Sequence, residues 1–388
     1  AALCSGCRSG CWLLSVPNEA RGGDLEAAED FWGRSFIKGA SLGVAAGYFA
    51  AAGLSSTALY KQVMPAEKLN QTDIGEIKAL RMKVISETSW YDNNVLLNDL
   101  KGAGGLLVNQ YTIPWTSNGV AAGYNGNNAG GFATYIEADL MDGSTKRILL
   151  DTGWNPAWME KRFIEEGVAE KLAKKQIDYW IISHEHFDHY WGLEATLKYN
   201  PKQEVYVPKG FYSEGFDLLK GKAFPKAQVK NDYPHTGKVN VMDSSKVNPL
   251  FPGAALMTFD MPIICRVFGE QAFVFNVKDK GLVLVTGCCH MGIITYMETV
   301  RKKIKGGEKI YAVQGGLHIS PFEDWDPQYD DLILALNKYG IQKIGANHCT
   351  GFIAVEKMIA AKLPVVTGTK RNMTKRDIYL GNGDTLAV

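Results

Sequence analysis

The sequence predicts a mixed α/β protein, and two observations support that class. From residue 78 onward, short β-rich runs alternate with stretches of helical periodicity, which is the pattern of a layered fold in which helices cover a sheet. The chain has 388 residues, of which 46% are hydrophobic. This composition is sufficient for one large core, or for a core with a small extension.

The first predicted strand covers residues 81–87, and a long segment rich in Gly and Asn follows at 93–131. A loop of this length inside a compact domain is usually functional or disordered. We therefore interpret 93–131 as an inserted flap, with Trp115 and Tyr124 as candidate substrate contacts.

A hairpin is predicted next, from residues 131–140 and 146–150, because Asp142-Gly143 between them is a strong turn signal. Asn155-Pro156 then predicts a helix that begins with an Asn cap and a Pro at its first position. A second helix is predicted at 190–199. The remaining predicted strands lie at 177–183, 204–207, 272–277, 282–285, 310–313 and 343–346.

Residues 184–189 form the densest group of metal-ligand side chains in the sequence. They read His-Glu-His-Phe-Asp-His, so three of the seven histidines of the chain fall within six residues. Neutral imidazole is the commonest side-chain ligand for zinc and similar ions. The segment comes directly after a predicted strand, an edge at which ligands collect in α/β proteins.

The spacing within this cluster suits two metals better than one. His184 and His186 lie two residues apart, so an extended backbone presents both on one side. Asp188 and His189 begin a predicted helix and turn toward a second point. A His-Glu-x-x-His zinc helix is excluded because residue 188 is Asp, so Glu185 is not expected to be a metalloprotease base.

The His-x-His-x-Asp-His order after a strand resembles the signature of the metallo-β-lactamase superfamily. Three further segments, 286–292 (Thr-Gly-Cys-Cys-His-Met-Gly), 315–318 (Gly-Gly-Leu-His) and 347–351 (Asn-His-Cys-Thr-Gly), are similar to elements of one branch. That branch is the 7,8-dihydropterin-6-ylmethyl-4-(β-D-ribofuranosyl)aminobenzene 5'-phosphate synthase-like proteins. The resemblance implies a four-layer αβ/βα sandwich.

The same resemblance implies a ligand set for two divalent metal ions, with zinc favoured and iron or manganese as alternatives. One ion would be held by His184, His186 and His290, and the other by Asp188, His189 and His348. Cys288 stands where many members place a bridging aspartate, so it is either a ligand or a small buried residue.

Three further residues have candidate roles beside the metals. Asp151, in an Asp-x-Gly turn, would orient a ligand histidine, and its alternative is a simple turn residue. His318 is either a substrate or carboxylate contact or a core histidine. Trp325 is a candidate stacking residue at the rim of the site, with a packed loop as the alternative.

These ligand types indicate hydrolysis by a metal-activated hydroxide, in which Asp188 both binds metal and handles the proton of the nucleophile. We expect a phosphorylated or other ester-type small molecule as substrate. The alternatives are a synthase-like condensing enzyme and a non-catalytic metal-binding scaffold. The net charge of +1 provides no strong basic field, which makes nucleic acid an unexpected partner. The sequence does not determine the oligomeric state.

The amino-terminal residues differ from the remainder. Residues 33–60 contain Arg34 and a weakly hydrophobic run, and they resemble a twin-arginine export signal, although Gly33 replaces the first arginine. We expect an exported, periplasmic protein, with a cytoplasmic one as the alternative, and membrane contact only through this segment if it is uncleaved. Residues 1–32 are unassigned: Cys4, Cys7 and Cys11 suggest an iron–sulfur or zinc cluster, but a misassigned start or cloning residues are preferred. The catalytic domain is expected at 75–388.

Overall fold

The computed structural model describes residues 70–87, 93–116 and 130–388. The predicted export segment 33–60, the cysteines at positions 4, 7 and 11, and Tyr124 lie outside the described residues. Within the described ranges, no helix combines the length and the apolar composition that a membrane span requires.

Thirteen strands are described in this part of the chain, and they form one continuous hydrogen-bonded network. The strands are β1 Ile77–Ser86, β2 Ala133–Leu140, β3 Thr145–Leu150, β4 Tyr179–Ile181, β5 Val205–Pro208, β6 Val239–Met242, β7 Val247–Phe251, β8 Ala254–Pro262, β9 Phe268–Val277, β10 Gly281–Thr286, β11 Ile310–Gly316, β12 Lys343–Asn347 and β13 Thr385–Ala387.

Nine α-helices are described in the same ranges. They are α1 Asn93–Ala103, α2 Pro156–Glu165, α3 Val168–Ala173, α4 Phe187–Tyr190, α5 Glu194–Leu197, α6 Ser213–Leu219, α7 Ile293–Lys303, α8 Gln328–Leu336 and α9 Phe352–Ala360. Short 3₁₀ turns occur at Gln110–Thr112, Ile264–Arg266 and Asn337–Tyr339.

The network consists of two halves. The main strand order is β12-β11-β10-β9-β1-β2-β3-β4-β5-β6, with β8 paired to β9, β7 to β8 and β13 to β1. β1 and β9 pair only at Ile77 and Val277. This narrow junction allows the half containing β1–β6 and the half containing β8–β12 to face each other.

Three hydrophobic clusters separate the layers, because successive side chains of a strand point to opposite faces. In β10, Val283 and Val285 belong to the cluster between the two sheet halves, whereas Leu282 and Leu284 belong to the cluster that contains α7, α8 and α9. The first sheet half packs in the same way against α2, α3 and α6. The order of layers is therefore helices, sheet, sheet, helices, which is the predicted four-layer sandwich.

Parallel pairing positions the functional residues. β3, β4, β5 and β6 run parallel to one another, as do β10, β11 and β12. The carboxyl ends of parallel strands meet at one edge of a sheet. The loops after β3, β4, β10, β11 and β12 consequently open on one side of the sandwich.

Most predicted elements are present in the structure. The hairpin of β2 and β3 is confirmed, and α2 has Asn155 as its cap, with its side chain accepting from the backbone N–H of Ala157 and Trp158. The predicted helix 190–199 was wrong in its continuity, because two short helices, α4 and α5, cover the region. β6, β7, β8 and β13 were not predicted.

The interpretation of 93–131 as a loop is wrong for part of the segment that the structure describes. Residues 93–103 form α1, which contributes Leu96 and Leu100 to the first hydrophobic cluster. Trp115 is 1% exposed and packs against Phe187 at a ring distance of 4.8 Å. Its indole N–H donates to the carbonyl of Gln110. Trp115 is therefore a core residue and not a substrate contact.

Candidate metal centre

Four strand ends bring the predicted site residues together. Asp151 follows β3, Cys289 follows β10, His318 follows β11 and His348 follows β12. Each has a left-handed backbone, with φ of 61°, 63°, 49° and 54° respectively. Such conformations cost of order 1–3 kcal/mol each in non-glycine residues and persist where the surroundings enforce them, often at functional sites.

Ligand atoms of His184, Cys288 and His290 lie within 4.8 Å of one another and form the first donor group. His186 adjoins this group, with its Nδ1 3.0 Å from Nε2 of His184. The ring of His186 lies 5.1 Å from that of His290. The three histidines predicted for one metal are thus adjacent.

The second donor group contains His189, Cys288 and His348. Nε2 of His348 lies 3.1 Å from Nε2 of His189 and 3.2 Å from a carboxylate oxygen of Asp188. Sγ of Cys288 lies 3.0 Å from Nε2 of His189. The residues predicted for the other metal are therefore also adjacent, and Cys288 belongs to both groups, as a bridging ligand would.

The hydrogen bonds of the His184 and His186 rings leave one unprotonated nitrogen on each ring, and these two nitrogens face each other. Nε2 of His186 lies 2.9 Å from the carbonyl oxygen of Ile264; a carbonyl only accepts, so Nε2 carries the proton and Nδ1 is bare. Nδ1 of His184 donates to Ser183 Oγ, which leaves Nε2 bare. Two bare nitrogens 3.0 Å apart repel unless a cation lies between them. Two nitrogens bound tetrahedrally to one zinc at about 2.0–2.1 Å would lie roughly 3.3 Å apart, so a metal ion fits here.

Asp151 orients ligands of both groups. Its carboxylate accepts from Nδ1 of His189 at 2.7 Å and from the hydroxyl of Ser183 at 2.6 Å. Ser183 in turn accepts from His184. These bonds direct the Nε2 atoms of both rings toward the metal positions, which is the arrangement expected of a carboxylate behind metal-binding histidines.

Glu270, at the beginning of β9, is a site residue that the sequence analysis missed. Its carboxylate is fully buried and accepts the backbone N–H groups of Cys288, Cys289 and His290 at 3.2, 2.8 and 2.6 Å. It also lies 3.4 Å from Nδ1 of His290 and 3.8 Å from Nδ1 of His184. Glu270 therefore fixes the turn that carries Cys288 and His290.

Gly287 permits the close approach of this turn to the Asp151 carboxylate. A Cβ at position 287 would lie 2.2 Å from Ser183 Oγ and 2.9 Å from Asp151 Oδ2. Any side chain there would displace the hydrogen bonds that orient His184 and His189. The glycine of the Thr-Gly-Cys-Cys-His segment is thus required by packing.

The two donor groups differ in electrostatics. Burial opposes protonation of His189, but the Asp188 and Asp151 carboxylates outweigh it and raise its pKa to about 9. Burial, together with the neighbouring imidazoles, lowers the pKa of His184 and His290 well below the usual value. Without metal, the second group favours an imidazolium and the first favours neutral rings.

Glu185 has a structural role. Its backbone carbonyl accepts from the Gln110 side chain at 2.6 Å, and the same side chain accepts from the N–H of Phe187 at 2.9 Å. The Glu185 carboxylate accepts from Tyr111 and from the N–H of Tyr212, and burial raises its pKa to about 8. Gln110, which the sequence analysis did not single out, thus holds the backbone of Glu185 and Phe187 between the metal-ligand residues.

The two remaining candidate residues, His318 and Trp325, differ in their distance from the donor groups. His318 lies beside the first group, with its ring 4.3 Å from that of His290, and is therefore not remote from the site. Trp325 packs against the second hydrophobic cluster, under the Lys357 ammonium at 4.9 Å. It is not among the described residues that line the cavity at the donor groups. The packed-loop alternative for Trp325 fits the structure, and the stacking role stays a prediction.

The cavity at the donor groups has a volume of about 30 Å³, which is enough to hold a water molecule. Its described lining contains no Lys or Arg and consists of donor residues with apolar side chains from α1 and neighbouring loops: Leu96, His186, Phe187, Asp188, Ile264, Cys265, Cys288, His290, His318, Phe322 and Cys349. A larger groove of about 870 Å³ lies at the opposite edge of the sheet and contains none of the donor groups.

Comparison with known proteins agrees with this site. The model of the metallo-beta-lactamase superfamily matches residues 129–255, a segment that contains the 184–189 cluster. The chain is 29% identical over 263 residues to the 7,8-dihydropterin-6-methyl-4-(beta-D-ribofuranosyl)-aminobenzene-5'-phosphate synthase of Methanocaldococcus jannaschii, covering 60% of this chain and 85% of the relative. It is 26% identical over 257 residues to an uncharacterized protein of the same organism, covering 58% and 88%.

Two solved structures are also similar. A metal-dependent hydrolase of the beta-lactamase superfamily aligns with a TM-score of 0.46 and 20% identity, over 79% of this chain and 98% of the other. A quorum-quenching N-acyl homoserine lactone lactonase aligns with a TM-score of 0.34 and 14% identity, over 70% and 92%. The His-x-His-x-Asp-His segment at the edge of the four-layer sandwich lies within the residues that the family model matches, so this part of the chain is similar to the metallo-β-lactamase superfamily.

Proposed function

We propose that the protein is a dinuclear metal-dependent hydrolase that acts on an ester-type small molecule, phosphorylated or not. The observations that carry the proposal are the pair of donor groups that share Cys288 and the unprotonated nitrogens of His184 and His186, which face each other at 3.0 Å. Divalent ions bound there supply Lewis-acid chemistry, which provides hydroxide near neutral pH and polarises the bond under attack. Zinc suits this nitrogen, sulfur and oxygen donor set.

Asp188 has the position of the proton-handling residue. It is 6% exposed, and its carboxylate is within hydrogen-bonding distance of His348. Burial opposes ionisation, but His189 and His348 hold its pKa below the usual value. Asp188 is thus ionised near neutral pH and can accept or orient the proton of the nucleophile. The apolar side chains at the cavity limit the access of bulk water.

A phosphorylated substrate would have the metal ions as its main cationic partners, because the described lining lacks Lys and Arg. Lactones and thioesters carry no phosphate group and require no cationic side chain for binding. The substrate panel should therefore include phosphodiesters, lactones and thioesters.

The test is replacement of Asp188 with Ala in metal-loaded protein, assayed on that panel. Turnover should fall by about 10²–10⁴, the usual contribution of a positioned acid or base, with metal content followed in parallel. Asp217→Ala, an exposed residue paired with Lys222, is the matched control and should retain turnover. Unchanged turnover in Asp188→Ala would refute the assigned role.

A condensing synthase is the second candidate, and the 29% identity to the Methanocaldococcus jannaschii synthase favours it. The export-like segment at 33–60 is the reason that we prefer hydrolysis, since an exported protein would not meet cytoplasmic precursors. Formation of the dihydropterin product by the purified protein, without hydrolysis of the panel, would select the synthase. A purified protein that contains no metal would support a non-catalytic scaffold.

A further inference from the structure

A third group of ligand atoms adjoins the two groups used above. Ligand atoms of Cys288, His318 and Cys349 lie within 4.8 Å of one another. The three residues follow β10, β11 and β12, which are adjacent parallel strands. The order of the strands therefore places two thiols and one imidazole at the same edge.

The environment of the four described cysteines separates them into two pairs. Cys265 and Cys289 are members of hydrophobic clusters, as buried cysteines usually are. Cys288 and Cys349 are equally buried but belong to none of the three clusters. Because all four are free thiols, neither a disulfide nor apolar packing accounts for the second pair.

The backbone around Cys349 brings its sulfur against the other donors. Sγ of Cys349 lies 3.4 Å from the carbonyl oxygen of Cys288. A Cβ at Gly316 would lie 2.6 Å from the same sulfur, so the absence of a side chain there makes room for it. Nδ1 of His318 is buried and has no hydrogen-bond partner among the described residues. His318 also has a strained left-handed backbone, with φ of 49°.

We propose that Cys288, His318 and Cys349 form a third, thiolate-rich position for a soft divalent ion such as Zn²⁺ or Cd²⁺, next to the two groups that would support hydrolysis. Thiolate and imidazole donors select ions of this class. An ion in this position shares Cys288 with the other groups. The proposal extends beyond the hydrolase function and can be tested without substrate.

The experiment is anaerobic titration with Cd²⁺ of the metal-free full chain in which Cys4, Cys7 and Cys11 are replaced by Ser, followed by the ultraviolet thiolate-to-cadmium charge-transfer band. This reference chain, in which every variant below is made, should show a band of two-thiolate intensity. Cys349→Ser should lose about half of it, because one of two thiolate ligands is removed. Cys289→Ser is the matched control, since its buried thiol lies in a hydrophobic cluster and not in the cavity lining, and it should retain the full band.

His318→Gln should keep the band but require at least tenfold more free Cd²⁺ for half-saturation. A full band in Cys349→Ser, or unchanged Cd²⁺ affinity in His318→Gln, would overturn the proposal. If Cys349→Ser does not fold, the ¹¹³Cd resonances of the reference chain decide: a shift typical of two sulfur ligands supports the position, and its absence refutes it. Loss of turnover in Asp188→Ala would be unaffected by either result, so the two proposals fail separately.

Discussion

The Asp151 carboxylate and the Glu270 carboxylate support the metal centre in different ways. Asp151 contacts side chains, the ring of His189 and the hydroxyl of Ser183. Glu270 mainly holds backbone, through three N–H groups of the turn at 288–290. The first carboxylate thus orients ligand rings, whereas the second fixes the chain that carries the ligands.

The two donor groups differ in charge as well. His189 lies between two carboxylates and favours its protonated form, whereas His184 and His290 favour neutral rings. A metal ion entering the second group must displace a proton, whereas one entering the first need not. We therefore expect variants of the two carboxylates to differ in what they change. Variants of Asp151 should change metal affinity, and variants of Glu270 should change the stability of the fold.

The largest expected effect is that of Glu270→Ala on stability. Two buried backbone donors and one partly buried donor would lose their acceptor, and each buried unsatisfied group costs about 1–3 kcal/mol. The free energy of unfolding of the metal-free protein should fall by several kcal/mol, measured by urea denaturation. Glu298→Ala, a partly exposed residue of α7, should change it by about 1 kcal/mol or less. Equal effects of the two variants would refute the backbone role of Glu270.

Asp151→Asn should act mainly on metal binding. The substitution keeps the shape but replaces an acceptor oxygen by a donor, so that the rings of His189 and His184 lose their orientation. Metal affinity should fall about 10–100-fold, the usual effect of losing such a partner, as measured by competition with a chelator. The control is Asp178→Asn, whose exposed carboxylate accepts from the N–H of Arg147. An unchanged affinity in Asp151→Asn would contradict the comparison.

The protonation of His189 between its two carboxylates predicts that the stability of the metal-free protein depends on pH. The pKa of His189 rises from 6.5 to about 9 on folding, so its stabilising contribution is complete below pH 6.5 and is lost as the pH rises through 9. The change is on the order of a few kcal/mol. Unfolding free energies of wild type and His189→Gln from pH 6.5 to 9 test this.

The two stability curves should converge toward pH 9, because the variant lacks the titrating ring. Glu87 and Glu185, whose pKa values burial raises to about 7 and about 8, titrate in both proteins and cancel in the difference. Parallel curves would show that His189 is not protonated between its two carboxylates.

The smallest expected effect is that of Trp325→Leu, a change outside both donor groups. It removes a cation–π contact with Lys357, which is worth about 0.5–1 kcal/mol at a partly exposed position. Metal affinity should remain that of the wild type in the same chelator assay. A fall in affinity would restore Trp325 to the site.

Much of the centre was predictable because its ligands lie in local motifs. His184, His186, Asp188 and His189 share one six-residue segment, whose spacing alone indicated metal chemistry. His290 and His348 each follow a buried strand in a segment that contains glycine, and they were assigned as ligands through the family resemblance. Glu270 gave no such signal, since it stands alone near the start of a strand. Its role arises only when β9 pairs antiparallel to β10 and its first residues come beside the end of that strand.

The failed prediction for Trp115, and the open one for Trp325, have a similar origin. Trp115 and Trp325 are aromatic residues in segments without a regular pattern, and such residues fit a core as well as a binding rim. The three-dimensional packing decides: Trp115 contacts Phe187 and Trp154, and Trp325 contacts Tyr329. The prediction of export concerns residues 33–60 and stays a prediction.

The sequence by itself determined the α/β class, the superfamily signature and the residues able to bind metal, because hydrophobic period and ligand type are local properties of the chain. Only the tertiary structure decided which ligands share Cys288, which carboxylates stand behind them and which cysteines lie outside the hydrophobic clusters. These are contacts between strand ends far apart in sequence, and they are set by strand order and by the packing of the two sheet halves.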